Sequence, residues 1–123
     1  MKKRPKYLDL RRIRLPLPGI VSILHRMSGF ALFLSIPLLL FALQDSLASE
    51  AGFRAIRAAL SGWPARIVVL ALAWAFFHHF CAGLRFLLLD IDRGTSLPAA
   101  RASSRAVLAA SLALTAISGV LLW

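Results

Sequence analysis

Two histidines, an arginine and an aspartate interrupt an otherwise apolar stretch at residues 76–90, FFHHFCAGLRFLLLD. On a helix, positions i, i+4, i+7 and i+11 share one face, so four of these residues form a longitudinal stripe. The residues on that stripe are His79, Gly83, Phe86 and Asp90. Small residues, Ala75 and Ala82, flank it, which is what a flat macrocyclic cofactor needs to lie against a helix. The alternative is a histidine that hydrogen-bonds a neighbouring helix, and the spacing alone leaves both interpretations open.

A second polar cluster opens the first apolar stretch, in the sequence GIVSILHRMSG at residues 19–29. Helical spacing puts a hydroxyl, an imidazole and a guanidinium on one face together with a glycine. These residues are Ser22, His25, Arg26 and Gly29. They are compatible with interfacial snorkelling and equally with a site for a polar headgroup inside a protein crevice. Because ionisable groups at membrane depth are costly, the functional interpretation is the default.

The elements that must position these clusters are membrane helices. The 123-residue chain is 59% hydrophobic, and residues 27–44, 67–84 and 106–123 contain no Lys, Arg, Asp or Glu. Each window is about long enough to cross a bilayer core of roughly 30 Å. We therefore predict an all-α membrane protein: a basic arm at 1–18, then one three-helix domain at 19–123, with spans at about 20–44, 65–89 and 104–123.

The connecting segments carry weaker signals. The arm is either a solvated tail or a docking arm for a soluble partner or lipid headgroups, and its prolines argue against a regular helix. In the loop at 45–66, Phe53, Ile56 and Leu60 recur at helical spacing and predict a short interfacial helix with no chemistry. Residues 94–105 are predicted to be a loop. In the last span, small residues repeat every fourth position and indicate close helix packing: Ser111, Thr115 and Gly119.

Charge predicts the orientation. The arm and the second loop hold ten Lys and Arg residues and the first loop holds three, so the N-terminus should be cytoplasmic and Trp123 on the far side. The net charge of +10 then reflects topology and contacts with anionic lipid rather than nucleic-acid binding. Both polar clusters fall at the cytoplasmic surface, with His79 roughly 16 Å deeper than Asp90. A buried imidazole below such a cationic rim is the layout expected for a haem.

Three segments resemble the cytochrome b556 subunit family of succinate dehydrogenase (complex II). They are RPKYLDL at residues 4–10, SILHRMSG at 22–29 and HFCAGLRFLLLD at 79–90. They occur in the family's order, and the three-span plan covers essentially the whole chain. The motif S-x-x-H-R-x-S-G followed by H-x-x-x-G-x-R is a specific signal for this family, whereas either half alone would be a weak one.

The resemblance implies an anchor in the bacterial cytoplasmic membrane that packs with a second small anchor subunit and holds an iron–sulfur and a flavoprotein subunit on the cytoplasmic side. It implies a b-type haem and a site for ubiquinone or menaquinone. His79 matches the axial haem ligand, and Ser22 and Arg26 match quinone-pocket positions. His25, Arg26 and Arg85 match the vicinity of the haem propionates. Gly29, Gly83 and Asp90 match structural positions.

Two features depart from a simple match. Family members often carry a histidine after the motif arginine, where this chain has Phe86, which weakens a polar haem contact there. The extra histidine, His78, is turned about 100° from His79 and is predicted to be a helix–helix hydrogen bonder. A low-spin haem with two imidazole ligands then needs its second histidine from another subunit.

Other functions stay open at the level of the sequence. The chain has no dinucleotide-binding fingerprint and only one cysteine, Cys81, so it cannot oxidise succinate or hold iron–sulfur clusters by itself. One alternative is the anchor of a quinol:fumarate reductase, and another is a haem-free structural anchor. A third is a small proton-conducting subunit with a histidine relay, which the lack of an inverted repeat argues against.

Overall fold

The computed structural model describes residues 14–123, so most of the predicted basic arm, including residues 4–10, lies outside the described residues. These residues form four helices, α1 (Leu17–Ala48), α2 (Glu50–Ser61), α3 (Trp63–Asp90) and α4 (Leu97–Leu122), and no strand among them. Three of the helices, α1, α3 and α4, are long and apolar enough to cross a membrane, each with a mean hydropathy of 1.9 in its most apolar window. The all-α membrane architecture predicted from the sequence is confirmed.

Prolines mark the start of each long helix. Pro18, Pro64 and Pro98 lie in the first turns of α1, α3 and α4, where a missing backbone N–H costs nothing and the fixed φ suits the helix. α4 begins at Leu97, nine residues before Ala106, where the uncharged window starts. The loop predicted for residues 94–105 is therefore wrong from Leu97 onward. Alanine and arginine, which dominate that segment, are strong helix formers.

The short helix predicted within the loop at 45–66 is also present, as α2. The Ser49 hydroxyl accepts a 3.0 Å hydrogen bond from the Gly52 amide, and Glu50 lies in the first turn, where a negative charge favours the positive end of the helix. A side chain at Gly52 would collide with the backbone carbonyl of Asp45, so glycine lets α2 turn back tightly onto the end of α1.

The helices pack through small side chains. The buried apolar residues among those described are Val21, Ala75, Ala82 and Val107, and buried serines lie beside them, with hydroxyls that donate to carbonyls of their own helices. Most large apolar side chains face outward instead. This arrangement suits a bilayer, where close backbone approach rather than burial of large side chains holds helices together. α3 contacts both α1 and α4, which also touch each other.

The small-residue stripe of α4 packs against α3, as predicted. Ser111 is fully buried, Thr115 donates to its carbonyl at 2.7 Å, and a Cβ at Gly119 would lie 2.9 Å from the Leu70 side chain. Pro37 lies inside α1, which runs through it without interruption.

Candidate functional site

His79 lies between α3 and α1, with its Nδ1 atom 3.0 Å from the backbone carbonyl oxygen of His25. A carbonyl oxygen only accepts hydrogen bonds, so the proton of the neutral ring must be on Nδ1. The lone pair is then on Nε2. A histidine held by its Nδ1–H in this way is oriented and made more basic for ligation through its other nitrogen.

Ser28 completes this contact. Its hydroxyl donates to the same carbonyl oxygen of His25 at 2.9 Å and lies 3.4 Å from Nδ1 of His79. Ser28 is almost completely buried, so this small network is shielded from competing water. Ser28 is not among the residues predicted from the sequence to form the site, although its position three residues after His25 puts its hydroxyl within reach of that carbonyl group.

The imidazole rings of His25 and His79 are stacked. The centroids of His25 and His79 are 4.2 Å apart and their planes are inclined by 14°. On the other side of His25, the ring of Phe86 lies 5.1 Å away at 50°. The two polar clusters predicted from the sequence are therefore in direct contact through His25 and His79. Phe86 adds an apolar ring next to His25.

Two glycines make room for these rings. A Cβ at Gly29 would lie 2.7 Å from Cε1 and 3.0 Å from Nδ1 of His79, which is closer than real Cβ contacts. A Cβ at Gly83 would lie 3.7 Å from Nε2 of His25, an ordinary van der Waals distance. Gly29 is therefore required for the position of His79, whereas Gly83 provides only a close fit.

Ser22 and Arg26 lie one turn apart near the start of α1. The Arg26 Nη2 donates to the Ser22 hydroxyl oxygen at 3.2 Å, and Arg26 is exposed. Because Ser22 accepts this bond, its own hydroxyl proton stays available to an incoming acceptor. The pair thus offers one hydroxyl donor and one guanidinium to a polar group that approaches from outside the helix.

Arg85 and Asp90 stand apart from this pair. Arg85 is only 6% exposed and its Nε donates to the Ser103 hydroxyl on α4 at 2.9 Å. It occupies the face of α3 that carries His78, seven residues earlier, and not the face of His79. Asp90 is exposed at the last residue of α3 and forms no ion pair with any other described residue.

His78 is completely buried between the helices, beside the indole of Trp74 at a ring separation of 5.1 Å. Neither of its ring nitrogens has a hydrogen-bond partner within residues 14–123. The backbone of Val21 on α1 lies beside the ring without forming a bond of good geometry, so the hydrogen bond from His78 to a neighbouring helix stays a prediction.

No group of three or more potential metal-ligating side chains exists in the described part of the chain. An iron held by a porphyrin does not need one, because the macrocycle supplies four ligands and the protein only the axial positions. A half-buried imidazole with a fixed Nδ1–H, beside Gly29, fits such an axial role.

Comparison with known proteins gives one consistent family. The model of the family described as the succinate dehydrogenase/fumarate reductase transmembrane subunit matches residues 1–118. The chain is 37% identical to the succinate dehydrogenase cytochrome b556 subunit of Coxiella burnetii, over 98% of both chains. It is 33% identical to the subunit of the same name from Paracoccus denitrificans, over 94% of this chain and 88% of the relative. The Rickettsia felis subunit is 32% identical over 98% of this chain and 91% of its own length.

Proposed function

Because this chain belongs to the succinate dehydrogenase/fumarate reductase transmembrane subunit family, we propose that it is a membrane-anchor cytochrome b subunit of a succinate:quinone oxidoreductase. In this role His79 is an axial ligand of a b-type haem that the chain shares with a second anchor subunit. Ser22 and Arg26 contribute to the site where ubiquinone is reduced. The relatives compared above carry the name succinate dehydrogenase, which favours succinate oxidation over fumarate reduction.

The observation that carries the haem assignment is the hydrogen bond between Nδ1 of His79 and the carbonyl oxygen of His25. It fixes the tautomer that leaves Nε2 free to ligate. The acceptor is a backbone atom on another helix, so the ring orientation is set by helix packing. When bound, the haem supplies a one-electron redox centre within the membrane.

The arrangement also supports a second ligand from outside this chain. His25 and His79 present their ring faces to each other at 4.2 Å, so an iron cannot lie between their nitrogens. His78 is completely enclosed by its own helices. With all three histidines of the chain accounted for, the opposite axial position falls to the partner subunit.

At the quinone site, this chain orients the substrate and stabilises charge. Reduction to the quinol takes up two electrons and two protons, and negative charge develops on a carbonyl oxygen before protonation. The Arg26 guanidinium stabilises that charge most strongly in a crevice from which water is excluded. The free hydroxyl proton of Ser22 donates to a quinone carbonyl. Neither side chain is itself oxidised or reduced, and the electrons come from the iron–sulfur partner.

The charge distribution supports a position of Ser22 and Arg26 on the side of the membrane where the soluble partners would dock. The chain is a multi-pass membrane protein, and its Lys and Arg distribution favours a cytoplasmic N-terminus in a bacterial inner membrane. The flavoprotein and iron–sulfur subunits would then dock at the end of the bundle that carries Ser22 and Arg26. Anionic lipid would contact the basic residues beside the spans.

The test is a reduced-minus-oxidised spectrum of the purified complex with His79→Leu, compared with His78→Leu as the control. The two histidines are neighbours on α3, so both changes remove one imidazole from the same helix. Loss of the b-type bands in His79→Leu alone is the expected result. Unchanged haem content in an assembled His79→Leu complex would overturn the assignment and favour a haem-free structural anchor.

A further inference from the structure

A second polar site lies at the opposite end of the bundle from His25 and His79. A cavity of about 610 Å³ opens where the C-terminal ends of α1 and α4 meet α2 and the start of α3. Its floor is largely apolar and its cationic groups come from α2 and α3. The side chains that form its floor and its charged edge include Phe53, Ile56, Leu60, Arg57, Arg66 and Trp123.

Arg66 is held in place at the edge of this cavity. Its guanidinium carbon lies 5.4 Å from the centre of the Trp123 ring, and its Nε donates to the Ser61 carbonyl at 3.1 Å. A cation over an indole face is attracted by the ring quadrupole. These contacts fix the stem and leave the two terminal nitrogens, with their N–H donors, for another acceptor.

Arg57 adds a second positive charge without a neutralising partner among the described residues. The ion pair that α2 does form joins Arg54 to Glu50, at 3.0 Å, and neither of these residues lines the cavity. No Asp or Glu of residues 14–123 lines the cavity. Two guanidinium groups thus face an apolar floor, and a ligand that complements both must combine an anion with hydrocarbon.

The depth of the cavity matches the headgroup region. Arg66 and Arg85 lie on the same helix at its two ends, about 28 Å apart at 1.5 Å per residue. That distance is close to the roughly 30 Å thickness of a bilayer hydrocarbon core. Arg85 lies toward the end of the bundle at which α1 begins and α3 ends, so Arg66, in the first turn of α3, lies toward the other surface. The apolar side chains of α2 that line the cavity indicate that this helix lies in the plane of that interface.

We propose that this cavity binds one anionic phospholipid from the leaflet opposite the quinone site. Its phosphate lies between Arg57 and Arg66, and its acyl chains run over Phe53 and Leu60 toward the membrane interior. A zwitterionic phospholipid fits less well, because its own ammonium group competes with the arginines for the phosphate. The site is independent of the haem and quinone groups, so the proposed function does not depend on it.

The test uses the intact complex purified in detergent and titrated with phosphatidylglycerol, with bound lipid counted by native mass spectrometry. A basic side chain near an anionic headgroup contributes a binding free energy that corresponds to about fivefold in affinity. Arg57→Gln and Arg66→Gln should each weaken one binding event by about fivefold, and the double variant by about thirtyfold. Arg54→Gln is the matched control, because it removes the same charge from α2 outside the cavity and should leave that binding event unchanged.

A second measurement localises the lipid. Phosphatidylglycerol with a photoreactive acyl chain should label the segment 53–60 in the native complex, and the double variant should lose this label while the haem spectrum stays unchanged. The proposal is overturned if Arg54→Gln weakens binding as much as the double variant, since general surface charge then explains it. It is also overturned if phosphatidylcholine binds equally well. Normal binding and labelling of the double variant would overturn it too, and would indicate that another subunit covers the cavity.

Discussion

The imidazoles of His25 and His79 stack face to face at 4.2 Å, while the backbone carbonyl of His25 accepts the hydrogen bond that orients His79. The His25 side chain and the His25 backbone therefore do different things. The ring packs against its neighbour, whereas the carbonyl fixes which nitrogen of His79 carries the proton. This division makes the orientation of His79 resistant to side-chain changes at position 25.

The first prediction follows from that division. His25→Phe keeps the backbone carbonyl and a flat ring, so the complex should retain its haem, measured as haem per flavin in the purified enzyme. His79→Phe keeps a ring but has no nitrogen ligand, so its haem content should fall to near zero. If His25→Phe loses haem to the same extent, the backbone bond is not what orients the ligand.

The second prediction compares two glycines that face the histidine pair. Gly29→Ala places a methyl group 2.7 Å from Cε1 of His79 and must push the ring off the His25 carbonyl. Overpacking of this kind costs about 1–3 kcal/mol, so the variant should lose haem and show a lower thermal midpoint. Gly83→Ala meets His25 at 3.7 Å and should change neither quantity. Equal behaviour of the two variants would contradict the close contact at Gly29.

The third prediction concerns substrate reduction. Arg26→Gln removes a charged donor of the kind that contributes about 1.5–3 kcal/mol, so kcat/KM for ubiquinone should fall roughly ten- to a hundredfold. Succinate oxidation with a water-soluble artificial electron acceptor should stay at the native rate, because that reaction does not use the quinone site. Arg101→Gln removes an exposed arginine of α4 and serves as the control. A comparable loss in the control would indicate a general effect of surface charge.

Uncharged apolar windows were sufficient to predict the three long helices, and helical periodicity was sufficient to predict α2. Helical spacing alone shows which residues share a face, without knowledge of the partner helix. It therefore predicted one stripe on α3 that contains His79 and Gly83, and one on α1 that contains His25 and Gly29. The contact between the stripes required the topology as well, and the charge distribution supplied it by assigning both to one membrane surface.

Contacts between distant segments could not be predicted in this way. The cavity at Arg57 and Arg66 forms only because α2 and the end of α4 meet, and no periodicity relates residues 57 and 123. The start of α4 was missed because Pro98 was interpreted as part of a loop, although proline is favoured in the first turn of a helix. The surroundings of His78 depend on which side chains of α1 and α4 reach it, which spacing along α3 does not determine.

The last prediction tests that buried histidine. His78 is completely enclosed, and neither ring nitrogen is hydrogen-bonded within the described residues. An unsatisfied buried polar atom costs about 1–3 kcal/mol, which exceeds or matches the roughly 0.5–1.5 kcal/mol gained from stacking on Trp74. His78→Leu, which is similar in volume and has no polar atom, should therefore raise the thermal midpoint of the complex and leave haem content and quinone reduction unchanged. A lower midpoint with normal haem would show that a bound water or a partner subunit satisfies the ring in the assembled complex. A stable variant with slowed quinone reduction would instead give this histidine a part in proton delivery.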